Sequence, residues 1–143
     1  MLEPAVRLRG VAQTFPGGIA ALGPIDIDIQ SGARIGLLGP SGCGKSTALR
    51  AVAGLRRPTS GAISYDAPPE PGDIGFVFQD PVLPPWSRVR DAVAMPLRLL
   101  GREVDRNQID DALRLVGLGD FADAYPRQLS GGMRMRASLA RAV

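Results

Sequence analysis

Histidine is absent from this 143-residue chain, and cysteine and lysine occur once each. Each scarcity excludes something. Without an imidazole, Ser/His and Cys/His nucleophile pairs and His-based zinc sites are ruled out. A single cysteine, Cys43, cannot build an internal disulfide framework. Long apolar runs are missing as well: the longest uncharged stretch, Gly10 to Ile25, carries four glycines and two prolines and is no membrane helix. The opening MLEPAVRLRG has no apolar segment of the secretory type, so a cytosolic chain is the default expectation. Low-complexity blocks and fixed-period repeats are not found. What remains is a chain with 45% hydrophobic and 22% charged residues, enough for one domain with a buried core. The net charge of +3 comes from arginines interleaved with carboxylates, which reads as solvated faces rather than a nucleic-acid surface.

Periodicity places the elements. Ala5 to Val11 alternates apolar residues with arginine, and Ile25 to Ile29 reads I-D-I-D-I, so both are expected as half-exposed antiparallel strands. Arg34 to Leu38 (RIGLL) does not alternate and is expected as a strand buried on both faces. Ala48, Leu49, Val52 and Ala53 then predict one helical face, stopped at Gly54 and Pro58. Ala62 to Tyr65 and Ile74 to Phe78 are expected as strands on either side of a proline-rich turn. Beyond about Arg88 the pattern turns helical: Val89, Val93, Leu97 and Leu100 keep helical spacing around Pro96, which should kink or divide that helix. Asp105 with Gln108 reads as a capping box, Ile109, Leu113 and Val116 as the buried face, and Gly117 as the stop. The expected organisation is a β-rich nucleotide-type core over 1–87 and a helical subdomain over 88–143.

The chemistry is concentrated in GPSGCGKST, Gly39 to Thr47. Gly39-x-x-x-x-Gly44-Lys45-Ser46 fits the P-loop pattern in full and lies between an expected strand and an expected helix, the context that pattern requires. Glycine lets successive N–H groups turn inward around phosphate oxygens, with the positive end of the following helix behind them. The loop residues Gly39, Pro40, Ser41, Gly42, Cys43, Gly44, Lys45, Ser46 and Thr47 are thus candidate nucleotide contacts. Ser46 is placed on Mg²⁺ and Thr47 at a phosphate. Lys45 is the one cation written as lysine, because a compact ammonium reaches β- and γ-phosphate oxygens in a tight loop where the broad guanidinium fork does not fit. Cys43 occupies a variable position of the pattern.

A second anion cradle follows in LSGGM, Leu129 to Met133: Ser130 as a helix N-cap, then Gly131 and Gly132 baring backbone N–H groups at a positive helix end. With this motif downstream of the P-loop, the sequence resembles the ATP-binding subunit of ABC transporters over essentially its whole length. The resemblance implies an α/β P-loop NTPase with N-terminal antiparallel β elements, a RecA-like core and a helical subdomain. It implies ATP and Mg²⁺ as ligands. It makes Gln79, directly after IGFVF, the glutamine that senses Mg²⁺ and the attacking water, and so a catalytic residue beside Lys45. Phe15, in TFPGG, resembles the aromatic that stacks on adenine. The partners implied are transmembrane permease subunits, a substrate-binding protein and a second copy paired head to tail, at the cytoplasmic face of the membrane, with no nucleic acid. Pro85 and Trp86 after the Gln79 segment are similar to importers of the nitrate, sulfonate and taurine group. Met135 departs from the family, which has glutamine there.

The family continues where this sequence stops. Its apolar strand with an Mg²⁺-holding aspartate and catalytic glutamate, and its γ-phosphate histidine, have no counterpart; past Asp123 there is no carboxylate. The chain alone is therefore expected to bind ATP but hydrolyse it poorly, and to leave an apolar sheet edge and part of the core exposed. A soluble ABC-type ATPase acting on nucleic acid or ribosomes, and a non-catalytic nucleotide-binding module, are the alternative readings.

Overall fold

The computed structural model describes residues 4–142 and divides into two compact units, Met1–Pro69 and Glu70–Val143. The first is built on a three-stranded antiparallel sheet, with β1 (Pro4–Phe15) between β2 (Ile19–Gln30) and β3 (Ser60–Tyr65). Three of the five expected strands form, at Ala5–Val11, Ile25–Ile29 and Ala62–Tyr65, and each runs longer than its alternation suggested. Their inner face needs an irregularity. Leu8 pairs with Ile27 and Val11 with Ile25, and the register shift between them turns both residues, three apart in sequence, onto the same buried face. At the shift the Gly10 N–H donates to Asp26 Oδ1 at 2.9 Å. Leu8, Val11, Leu22 and Ala48 form the centre of this core, with Ile25, Ile27, Val52 and Ile63 packed around them. Each fully buried Leu or Val contributes about 1.5–3 kcal/mol.

Helix α1 (Lys45–Val52) lays Ala48 and Ala51 against the unit. Leu49, expected on the buried face, is 51% exposed, because the phase that buries positions 48 and 51 turns 49 outward. A larger correction concerns Arg34–Leu38. It forms no strand: Ile35 is half exposed, Leu38 is 96% exposed, and Leu37 alone packs partly against the core. Apolar composition specifies a wish for burial, whereas a strand also needs a ladder partner, and this run has none among the described residues.

In the second unit, helices α2 (Val89–Leu99), α3 (Arg106–Leu115) and α4 (Gly131–Ala140) enclose a core of Leu83, Val89, Val93, Ile109, Leu113, Leu118 and Ala137. Pro96 lies inside α2 and does not divide it. Asp105 caps α3 by accepting from the Asn107 N–H at 2.9 Å, and Gly117 ends it with a φ of 68°. Short 3₁₀ turns at Gly119–Phe121 and Pro126–Gln128 lead into α4. Ile74–Phe78, expected as a strand, forms no ladder, for the same reason as Arg34–Leu38; Phe76 and Phe78 meet edge to face at 4.8 Å.

Candidate nucleotide site

The residues singled out by sequence fall into two groups, one in each unit. In the first, Gly39 to Gly44 forms an exposed loop that ends at the start of α1. Gly44 is the N-cap, at φ 97°, a conformation that L side chains rarely adopt. A Cβ there would stand 2.4 Å from the Ala21 carbonyl oxygen and 3.1 Å from Leu22 Cδ1, so β2 presses directly on the loop. The Lys45 ammonium folds back over the loop and donates to the carbonyls of Gly39 at 2.7 Å and Pro40 at 2.6 Å, with Cys43 Sγ at 3.5 Å. Cys43 is exposed. Among the described residues the amides of Ser41, Gly42 and Gly44 donate to no backbone carbonyl, and the first amides of α1 lack intrahelical acceptors by geometry. A turn of amides not consumed by the fold, closed by a glycine that cannot carry a Cβ, fits a phosphate chain. Ser46 is exposed on the first turn of α1, where its hydroxyl is free to meet a hard cation, and Thr47 is half-buried beside it.

Phe15 is half-buried at the end of β1, opposite Ile19, and the Arg56 guanidinium lies 4.9 Å from its ring centre. Two rows along the same hairpin Gln13 faces Leu22, the residue against Gly44. One ribbon therefore carries both the aromatic candidate and the wall of the loop.

In the second unit Gln79 is exposed in a bend, and Ser130, Gly131 and Gly132 are exposed at the start of α4. Ser130 Oγ accepts from the Met133 N–H at 3.2 Å, the N-cap bond expected from sequence. Gly131 and Gly132 have no positive φ, and a Cβ on either would meet nothing within 4 Å. Nothing in their own surroundings demands glycine. The approach to this turn is braced by residues that sequence reading missed. The Arg90 guanidinium donates to Asp110 Oδ1 at 2.9 Å and Asp123 Oδ1 at 2.6 Å, while the amides of Val89 and Arg90 donate to the carbonyls of Ala124 and Ala122 at 2.9 Å. The hydrogen bond to Asp110 is the main reason the Arg90 pKa lies above the usual guanidinium value; Tyr125, then Asp123, do the same for Arg88. No local pattern marks pairs 20 and 33 residues apart. A groove of this unit, about 730 Å³ and lined by Ile74, Phe76, Val93, Leu97, Leu100 and Ile109, includes none of the site residues expected from sequence.

A glycine-closed amide cradle that leads into a helix, with an internal lysine folded over it, defines the class as P-loop NTPase. The particular family is given by comparison: residues 22–143 match the ABC transporter family, and the chain belongs to it. It is 44% identical over 146 residues to the spermidine/putrescine import ATP-binding protein PotA of Nitratidesulfovibrio vulgaris, covering 96% of this chain and 39% of that protein. It is 41% identical over 147 residues to the sn-glycerol-3-phosphate import ATP-binding protein UgpC of Rhodopseudomonas palustris, covering 96% and 40%. A solved dimeric ATP-binding cassette in a post-hydrolysis state, bound to ADP and Pi, superposes with a TM-score of 0.84 at 31% identity, over 96% of this chain and 68% of that one. The chain thus spans about two fifths of the length of these two curated relatives.

Proposed function

We propose that this chain belongs to the ATP-binding subunit of an ABC importer, in which ATP binding and hydrolysis drive substrate across a membrane through permease partners. The observation that carries the reading is the Gly39–Thr47 loop, with Lys45 held over it by two carbonyls and Gly44 fixed against β2. In this reading the loop amides and Lys45 hold the phosphates, Ser46 and Gln79 hold Mg²⁺, and Phe15 supports the adenine. Held by those side chains, Mg²⁺ would supply neutralisation of phosphate charge. Gln79 also orients the attacking water. Ser130, Gly131 and Gly132 close on the nucleotide of a second copy paired head to tail, an assignment supported by glycines that their own unit does not require. The functional division falls at 87/88, between nucleotide-binding core and helical subdomain, and the site of action is the cytoplasmic face of the membrane.

Hydrolysis is proposed for the whole protein, since the chain spans only part of its relatives. Similarity to a spermidine/putrescine and an sn-glycerol-3-phosphate import ATP-binding protein supports import, and this reading adds a substrate-binding protein as partner. The finer reading, an importer of the nitrate, sulfonate and taurine group, rests on Pro85 and Trp86 alone. The test is equilibrium ATP binding and Mg²⁺-dependent ATPase of the full natural protein, parent against Lys45→Arg. High-affinity binding is expected in the parent and lost in the variant; near-native affinity in Lys45→Arg would overturn the reading.

A further inference from the structure

The Gln79 loop is pinned on both legs by the end of α4. Four residues before Gln79, Gly75 lies so close to the Ala142 carbonyl oxygen that a Cβ would stand 2.5 Å from it. Three residues after Gln79, the Val82 carbonyl accepts from Arg141 Nη1 at 2.6 Å, across 59 residues of sequence. Between these pins Gln79 is exposed in a bend, with no side-chain hydrogen bond among the described residues. Arg141 is the C-cap of α4, whose N-cap is Ser130. A ten-residue helix is a rigid rod of about 15 Å.

We propose that Arg141 is a positioning residue for Gln79: by holding the Val82 carbonyl while Ala142 abuts Gly75, the end of α4 fixes the Gln79 loop to the same rod that presents Ser130. The inference rests on the reading above, in which Gln79 and Ser130 both serve the nucleotide site. A change in the Ser130 turn that tilts α4 is thereby transmitted to Gln79 without passing through the core side chains. The contact is charged at the donor and directed at a backbone carbonyl, so its removal frees the loop while leaving Leu83, buried one residue further on, as the next anchor.

The experiment uses the full natural protein with Arg141→Gln, Arg141→Lys and Gly75→Ala. Chymotrypsin cleavage after Phe78, followed by mass spectrometry, reads the release of the loop; cleavage after Phe121, 41% exposed in the same unit, is the internal control. Cleavage after Phe78 should rise about tenfold in Arg141→Gln with the control unchanged, and return towards the parent rate in Arg141→Lys. Gly75→Ala, which displaces the other leg, should raise it similarly. The ATPase kcat should fall about tenfold or more in Arg141→Gln, with equilibrium ATP affinity within about twofold of the parent. Unchanged Phe78 cleavage in Arg141→Gln, or a rise matched by the Phe121 control, would overturn the proposal. Absence of ATPase activity in the parent would count against the proposed function instead, and the cleavage comparison would still decide Arg141.

Discussion

Replacing Gly131 with alanine should move stability and activity in opposite directions. The residue is the first of α4, its φ is not positive, and a methyl group there meets nothing within 4 Å. Neither strain nor clash opposes the change. Alanine restricts the unfolded chain and favours the helix, so Gly131→Ala should leave stability unchanged or raise it by about 0.5 kcal/mol, and the Gly131→Ala/Gly132→Ala pair by about 1 kcal/mol. Function should behave otherwise. If these amides meet a phosphate at about 2.9 Å, a methyl on the exposed side holds the anion roughly 1 Å farther away, and displacement on that scale costs about 10²-fold in rate. The assay pairs urea unfolding with steady-state ATPase in the full natural protein. A lower unfolding midpoint would mean that the glycines serve folding, and an ATPase rate within about twofold of the parent would mean that nothing approaches them; either result refutes the reasoning.

Gly44→Ala should do the opposite of Gly131→Ala. It combines a φ of 97° with a 2.4 Å approach to the Ala21 carbonyl oxygen, so strain of about 1–2 kcal/mol and steric displacement of about 1–3 kcal/mol add, measurable as a lower urea midpoint together with loss of ATP binding. Tyr65 donates its hydroxyl to the Val52 carbonyl at 2.6 Å, and burial raises its pKa above the usual phenol value of 10.0. The neutral phenol is thus favoured more in the folded state than in the unfolded one. Its contribution is complete below pH 10 and is lost as pH rises through the folded pKa, so the stability advantage of the parent over Tyr65→Phe, read from urea unfolding by circular dichroism, should be largest below pH 10 and shrink above it.

Local chemistry was legible in the sequence, and pairing was not. Ser130 and Asp105 were read correctly as caps because a cap bond spans two or three residues, although the capping box expected of Asp105 with Gln108 is reduced to the single bond from Asn107 among the described residues. Gly44 could be read as the closing glycine of a loop, though not as the one pressed by β2. RIGLL and IGFVF looked like interior strands because their composition matches one, but strand identity belongs to a pair of segments, and each run lacks its ladder among the described residues. Leu38, 96% exposed, shows how far composition and environment can part. Arg141 and Arg90 were indistinguishable from the other arginines, since what singles them out is a carbonyl or carboxylates 59, 33 and 20 residues away.

The β1–β2 hairpin has a consequence of a different sort. Phe15 sits opposite Ile19, Thr14 opposite Ala20 and Gln13 opposite Leu22, and the last of these touches Gly44. On the proposed reading the hairpin acts as a ruler between base and phosphate recognition: its rows fix how far the aromatic platform stands from the loop. A ruler can be lengthened only in whole rows. One residue inserted between Phe15 and Ile19 would be absorbed by the turn, whereas one inserted between Gln13 and Phe15 would send the ring to the opposite face of the sheet. Selectivity for adenine would then be lost while the phosphate cradle stayed intact, leaving a site that grips triphosphates without regard to the base they carry.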